Sequence, residues 1–288
     1  MAQAKTTKTE EKGTPIDESK TEIAKEENKE LSVDSYDYGE DTSAGFENQT
    51  GEDMTIPFLA ILQDLSPQVK SREADVGQIF NTVTDEITDG KEGIVFVPAH
   101  TEHTYVEWVP RKKGGGFVGK HDINSDVVAV AKERSEEFGK YKTEAENDLV
   151  ETFYIYGILC DGDDVGEMIV IPFTSMKIKP YKNWNTKINM FTFKGKNGRK
   201  QKPPLFAHRV RMTTTILKKN NDEYANPVLS PYGENLKDSL LAPGCELMEA
   251  AKDYRDLIKQ GLAKVDYNTQ EKATGDAEEG KKKTDKVF

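Results

Sequence analysis

The chain has 288 residues, 32% of them charged, a formal net charge of −11 and two cysteines, Cys160 and Cys245. Two cysteines give no disulfide framework and suit a reducing compartment. No apolar run approaches the roughly 20 residues of a membrane helix, and the N-terminus lacks the apolar stretch of a secretion signal, so a soluble intracellular chain is expected.

Residues 1–53 hold fifteen acidic residues against six lysines and no apolar periodicity, a composition that predicts disorder. Within them Asp34-Ser35-Tyr36-Asp37-Tyr38-Gly39-Glu40-Asp41, followed by Phe46 and Glu47, alternates carboxylates with rings. Chemically this imitates a single strand, and the segment could lie in a basic groove or dock on partner proteins. Residues 54–265 are expected to form the core, and polar residues 266–288 a second disordered tail. The core opens with Met54 to Leu65, read as a short helix bracketed by Pro57 and Pro67, with an extended segment as the alternative.

Strand signals follow. Gly77 to Thr84 alternates, Gly93 to Pro98 is continuously apolar, and Tyr105 to Val109 alternates again. Ser125 to Gly139 predicts a helix ending at its glycine. Phe153 to Cys160 and Glu167 to Phe173 flank Asp161-Gly162-Asp163-Asp164, the signature of a β-hairpin. Ser175 to Met190 reads as a helix or an irregular arm, because Pro180 counts against an uninterrupted helix. Phe206 to Leu217 predicts a long strand paired with Glu223 to Leu229 across Asn220-Asn221. Cys245 to Leu262 has the apolar spacing of one helix face. Strands and helices without βαβ alternation predict a β-rich α+β domain. An OB-like Greek-key barrel with insertions and a C-terminal amphipathic helix is the architecture expected.

The charge is unevenly placed. From Met168 to Asn221 there is no Asp or Glu, yet there are thirteen Lys and Arg, interleaved with Phe173, Tyr181, Trp184, Phe191, Phe193 and Phe206. Cations beside flat rings suit a flexible polyanion whose bases are free to stack. Lys177, Lys179, Lys182, Lys187, Arg199, Lys200, Arg209 and Arg211 are the expected phosphate contacts. Tyr181, Trp184, Phe191 and Phe193 are the expected stacking rings. A second basic site is read in the Gly114-Gly115-Gly116-Phe117-Val118-Gly119-Lys120 stretch. There Arg111, Lys112, Lys113 and Lys120 surround glycines that let a backbone approach phosphate, beside the rings of Trp108 and Phe117. A flexible turn, or a basic face that meets an acidic protein surface, accounts for the same residues without nucleic acid.

That stretch also matches the phosphate loop G-x-x-x-x-G-K, which keeps a nucleotide-binding enzyme as an alternative. His121 stands where a Ser or Thr would hold Mg²⁺. His100, His103 and His121 lack cysteine companions, the acidic turn at Asp161 lacks the distant Glu of a calcium loop, and no nucleophile motif is present. No metal, no cofactor and no catalytic residue are therefore expected.

The basic aromatic core, the acidic tail segment and the terminal Phe288 resemble the single-stranded DNA-binding replication proteins of T7-like bacteriophages. Blocks Ile56 to Val69, Tyr105 to Gly119 and Pro203 to Thr214 also look like stretches of phage proteins. The resemblance implies an oligonucleotide-binding barrel that coats single-stranded DNA in replication or recombination in the host cytoplasm. It also implies recruitment of a phage DNA polymerase or helicase, here through Phe288, and leaves homo-oligomerisation open. This sequence departs from that plan in carrying its stronger acidic tail at the N-terminus. A phage structural or protein-interaction module is the other expectation.

Overall fold

The computed structural model describes Gly39, residues 44–45, 47–48, 55–219 and 222–273. Expectations for the acidic N-terminal stretch and for Phe288 fall outside the described residues almost entirely.

The centre of the fold is a seven-stranded antiparallel sheet. It contains β4 (Ile94–Trp108), β5 (Phe117–His121), β6 (Tyr141–Lys142), β7 (Asp148–Asp161), β8 (Asp164–Thr174), β11 (Val210–Lys219) and β12 (Asp222–Pro231). The long strand β4 pairs along most of its length with β7, from Phe96↔Leu159 to Trp108↔Asp148. Its other edge is shared, with β11 on Ile94 to Phe96 and β5 on Tyr105 to Trp108. The two segments read as separate strands, 93–98 and 105–109, are thus one element, with a register shift between Pro98 and His100. Gly157 pairs with Pro98 at that irregularity, where a β-carbon would stand 2.8 Å from the Val97 carbonyl oxygen.

The hairpin expected at Asp161 forms, with Asp161 paired to Asp164 and Gly162 at φ 62°. The expected pairing of the strands around Asn220-Asn221 also forms, in register from Val210↔Pro231 to Lys219↔Asp222.

Around this sheet lie α1 (Pro67–Lys70), a small sheet of β1 (Leu59–Ile61), β2 (Ile79–Asn81) and β3 (Ile87–Thr88), and α2 (Asp126–Arg134). Next come α3 (Ile178–Met190), a hairpin of β9 (Phe193–Lys194) and β10 (Lys200–Gln201), and α4 (Glu246–Lys259). Of the 54–65 stretch, residues 55–63 are extended rather than helical, with a turn at 64–65. Its residues Leu59, Ala60 and Ile61 are all buried, which an extended segment between two layers allows. Helix begins only at Pro67, where a missing N–H costs nothing.

Helix α3 survives Pro180 for the same reason. The proline is third in the helix, among the first four residues, whose N–H groups have no partner inside it. Helix α2 stops at Ser135 rather than at Gly139.

The sheet is apolar on both faces. Phe153, Ile155, Ile169, Ile171, Val210 and Met212 meet Tyr181, Trp184 and Ile188 of α3. Tyr154, Tyr156, Ile158, Val97 and Val106 meet Leu247, Ala251 and Tyr254 of α4 on the other side. Period-two alternation along β7 thus sends successive large side chains into two different cores.

The expected barrel is not confirmed. A barrel has one interior face, whereas this sheet is a layer between two helices, its edges do not close, and the class is β-rich α+β. Part of the stretch assigned to the C-terminal tail is structured. Residues Tyr267–Ala273 form a 3-10 helix that lies across the core, where Tyr154 donates to Gln270 Oε1 at 3.2 Å and Ser66 donates to the Ala273 carbonyl at 2.6 Å. Among the described residues no helix is long and apolar enough to cross a membrane.

Candidate nucleic-acid interface

Helix α3 sorts the window's residues into two faces. Tyr181, Trp184 and Ile188 form its buried stripe, with Tyr181 3% and Trp184 4% exposed. Neither ring can stack on a base from that position, which corrects the sequence expectation. Positions spaced by three and four fall on one side of a helix, and here that side is core. Burial holds the Tyr181 hydroxyl above its ordinary pKa.

Lys179, Lys182 and Lys187 occupy the opposite, exposed side. The Lys182 ammonium stands over the Phe153 ring at 4.9 Å and 3.9 Å from Glu151. Lys179 and Lys187 have no carboxylate within ion-pair distance among the described residues.

At the C-terminal end of α3 the chain turns into the β9–β10 hairpin, and Lys202 ties the two together by donating to Asn189 Oδ1 at 3.0 Å. Phe191 and Phe193 lie here, half-buried, with ring centroids 6.4 Å apart and planes 17° apart. Around them are Lys194, Lys196, Arg199, Lys200 and Lys202, all exposed and none with a carboxylate partner among the described residues. Met190, 77% exposed, adds an apolar surface. Lys194, Lys196 and Lys202 belong to this cluster, although the sequence reading placed the contacts on Arg199 and Lys200.

Lys177 lies at the other end of α3, in a cleft of about 750 Å³ that Arg111 and Tyr224 also line. The residue is half-buried, and desolvation pulls its ammonium down to about 8. Its charge is therefore partly lost in mildly alkaline solution.

Arg209 is not available to phosphate. Its side chain is 12% exposed, donates to Asp163 at 2.8 Å and lies 4.2 Å from the Tyr232 ring centroid. It pins the Asp161 hairpin turn instead. Arg211 is exposed on β11, 5.7 Å from the same ring.

The glycine stretch runs from a loop into strand β5, where a phosphate loop would run into a helix. Arg111, Lys112 and Lys113 form a single exposed 3-10 turn, with Gly114, Gly115 and Gly116 following at φ 112°, 69° and 120°. Lys120 donates to Glu102 at 2.7 Å. Desolvation alone would lower its pKa, but the hydroxyl of Tyr267 and the carboxylate of Glu102 hold it above its ordinary value. Trp108 and Phe117 meet edge to face at 5.7 Å.

The histidines go to separate partners. His103 stacks on Phe153 at 3.9 Å and bonds Glu151, His121 bonds Glu107 at 2.7 Å, and His100 leans on Tyr156 at 6.0 Å. Among the described residues no three potential ligands converge. Glu107 is buried and also accepts from Thr143 and Asn147. Desolvation would raise its pKa, but the bonds from Asn147, His121 and Thr143 outweigh it and hold the carboxyl below its usual range.

Residues 25–264 match the family described as Pam3 phage gp34-like protein, a span that contains the sheet, α3, the basic hairpin and α4. The chain belongs to the Pam3 phage gp34-like family. The family's name is that of a phage protein, which agrees with the phage character expected from the sequence. No curated protein and no solved structure matches the chain.

Sequence reasoning missed Tyr267 and Glu271, which sit against the glycine loop. Their signal was present. Asp266 is a turn-forming residue whose carboxylate accepts the Asn268 N–H at 3.0 Å, so a short helical turn could have been read there.

Proposed function

We propose that this member of the Pam3 phage gp34-like family binds single-stranded nucleic acid, with single-stranded DNA in phage replication or recombination as the natural substrate. The strand lies along the exposed side of α3 and the β9–β10 hairpin. The observation that carries this reading is the pairing of Phe191 and Phe193 with a ring of cations that lack carboxylate partners among the described residues. Such cations stay available to phosphate, and a half-buried pair of near-parallel rings can accept bases of any sequence on its open side.

The role is non-enzymatic coating of the strand in the host cytoplasm. Recruitment of a phage polymerase or helicase through Phe288 and self-association along the strand are further parts of this proposal. A protein-interaction module is the second reading, favoured by exposed Ile216, Leu217 and Val228 on β11 and β12.

Ultraviolet cross-linking of oligo-dT followed by peptide mapping tests the assignment. Cross-links are expected at Phe191 or Phe193. Cross-links confined to other segments would overturn this interface.

A further inference from the structure

The Gly114–Gly116 loop is already occupied by an anion from the chain itself. The Gly116 N–H donates to Glu271 Oε1 at 2.8 Å, and the Glu271 carboxylate lies 3.4 Å from where a Gly115 β-carbon would stand. The Gly114 and Gly115 N–H groups donate to the Arg111 and Pro110 carbonyls, so the Gly116 N–H is the loop's donor to the anion, and a carboxylate is the nearest protein imitation of a phosphate there.

Beside it the Tyr267 ring stacks on Phe117, with centroids 4.8 Å apart and planes 18° apart, as a base would. The Lys120 ammonium stands 5.1 Å from the centre of the same ring. One short segment thus presents a ring to a ring and an anion to a backbone N–H. Lys112 and Lys113 are exposed at the mouth of the loop.

We propose that Gly114–Gly116, Phe117 and Lys120 form a second subsite for one nucleotide unit of a single strand, phosphate on the Gly116 N–H and base on Phe117. The 267–271 segment holds it closed by imitating that unit. This rests on the strand-binding reading above and adds to it a competitor built into the fold. The segment is also tied to the core by Tyr154 to Gln270 at 3.2 Å, Tyr156 to Tyr267 at 3.3 Å, Ser66 to the Ala273 carbonyl at 2.6 Å and the contacts of the Tyr267 ring with Phe58 and Tyr154. A strand must break these contacts to displace it, so apparent affinity is reduced by the closed fraction.

The test uses the full chain and labelled dT30, with dTMP as the mononucleotide probe. Glu271→Gln removes the anion with little change of shape, and Tyr267→Ala removes the ring. Each is expected to bind dT30 severalfold more tightly than the unsubstituted chain, and Phe117→Ala added to Glu271→Gln is expected to erase the gain. Unchanged affinity in natively folded Glu271→Gln would overturn the subsite, and so would a gain that survives Phe117→Ala. A gain for dTMP with none for dT30 would overturn the strand as its ligand.

If the unsubstituted chain binds and Glu271→Gln binds no better, this inference alone falls. If neither binds, both fall. If only the substituted chain binds, the subsite stands and the α3 face falls.

Discussion

Trp184 and Phe191 show how one residue class divides between core and surface. The Trp184 indole lies under α3 with its Nε1 unpartnered, whereas Phe191 lies half-buried past the helix end. Trp184→Ala is therefore expected to cost about 3–5 kcal/mol of stability, read by urea denaturation. Phe191→Ala should leave the denaturation midpoint nearly unchanged and weaken binding by about 1–3 kcal/mol, read by titration with oligo-dT. The reverse pattern would exchange their roles.

His208 is fully buried beside Phe191, its Nε2 has no partner, and desolvation lowers its pKa to about 4. The unfolded chain therefore binds a proton in the window between about 6.5 and 4 that the folded one refuses. The stability linked to neutral His208 is present above about pH 6.5 and lost as pH falls through 4. Thermal melts should show that loss, and His208→Gln should flatten it.

At the scale of elements, charge and periodicity in the sequence were good guides to what would form. The Asp161 hairpin, the β11–β12 pairing and α4 were legible because each rests on local signals: a turn residue, β-branching, a spacing of three and four. What was illegible depends on contacts between distant segments. No local rule shows that α3's stripe faces a sheet, so Tyr181 and Trp184 read as surface. Nor does one show that β7's unbroken apolar run means two cores rather than one.

The β9–β10 hairpin carries the clearest element-scale prediction. Replacing Lys194, Arg199 and Lys200 by alanine should weaken binding to every sequence alike and make the salt dependence shallower by about 2 units of slope, from roughly 0.7 per phosphate contact. A sequence-dependent loss would instead mean base readout. The Glu107 node joins β4, β5 and the turn before β7. Glu107→Gln should lower the melting temperature at neutral pH and remove part of the acid sensitivity, since a lowered carboxyl pKa contributes stability above its unfolded value and loses it as pH falls.

At the scale of the whole molecule, an acidic chain carries on the described part of one helix and the hairpin that follows it a group of exposed cations, Lys179, Lys187, Lys194, Lys196, Arg199, Lys200 and Lys202, that lack carboxylate partners among the described residues. Net charge would repel a polyanion at long range, so the proposed binding would depend on this local patch and weaken steeply with salt. The central claim is tested most directly by fluorescence anisotropy of a labelled 30-mer of single-stranded DNA across several salt concentrations, with duplex DNA as competitor. The expected result is preference for the single strand, with log affinity falling linearly at a slope of about −3 to −4, the neutralisation of roughly five phosphates. Absent binding at low salt, or binding indifferent to salt and to strandedness, would contradict it.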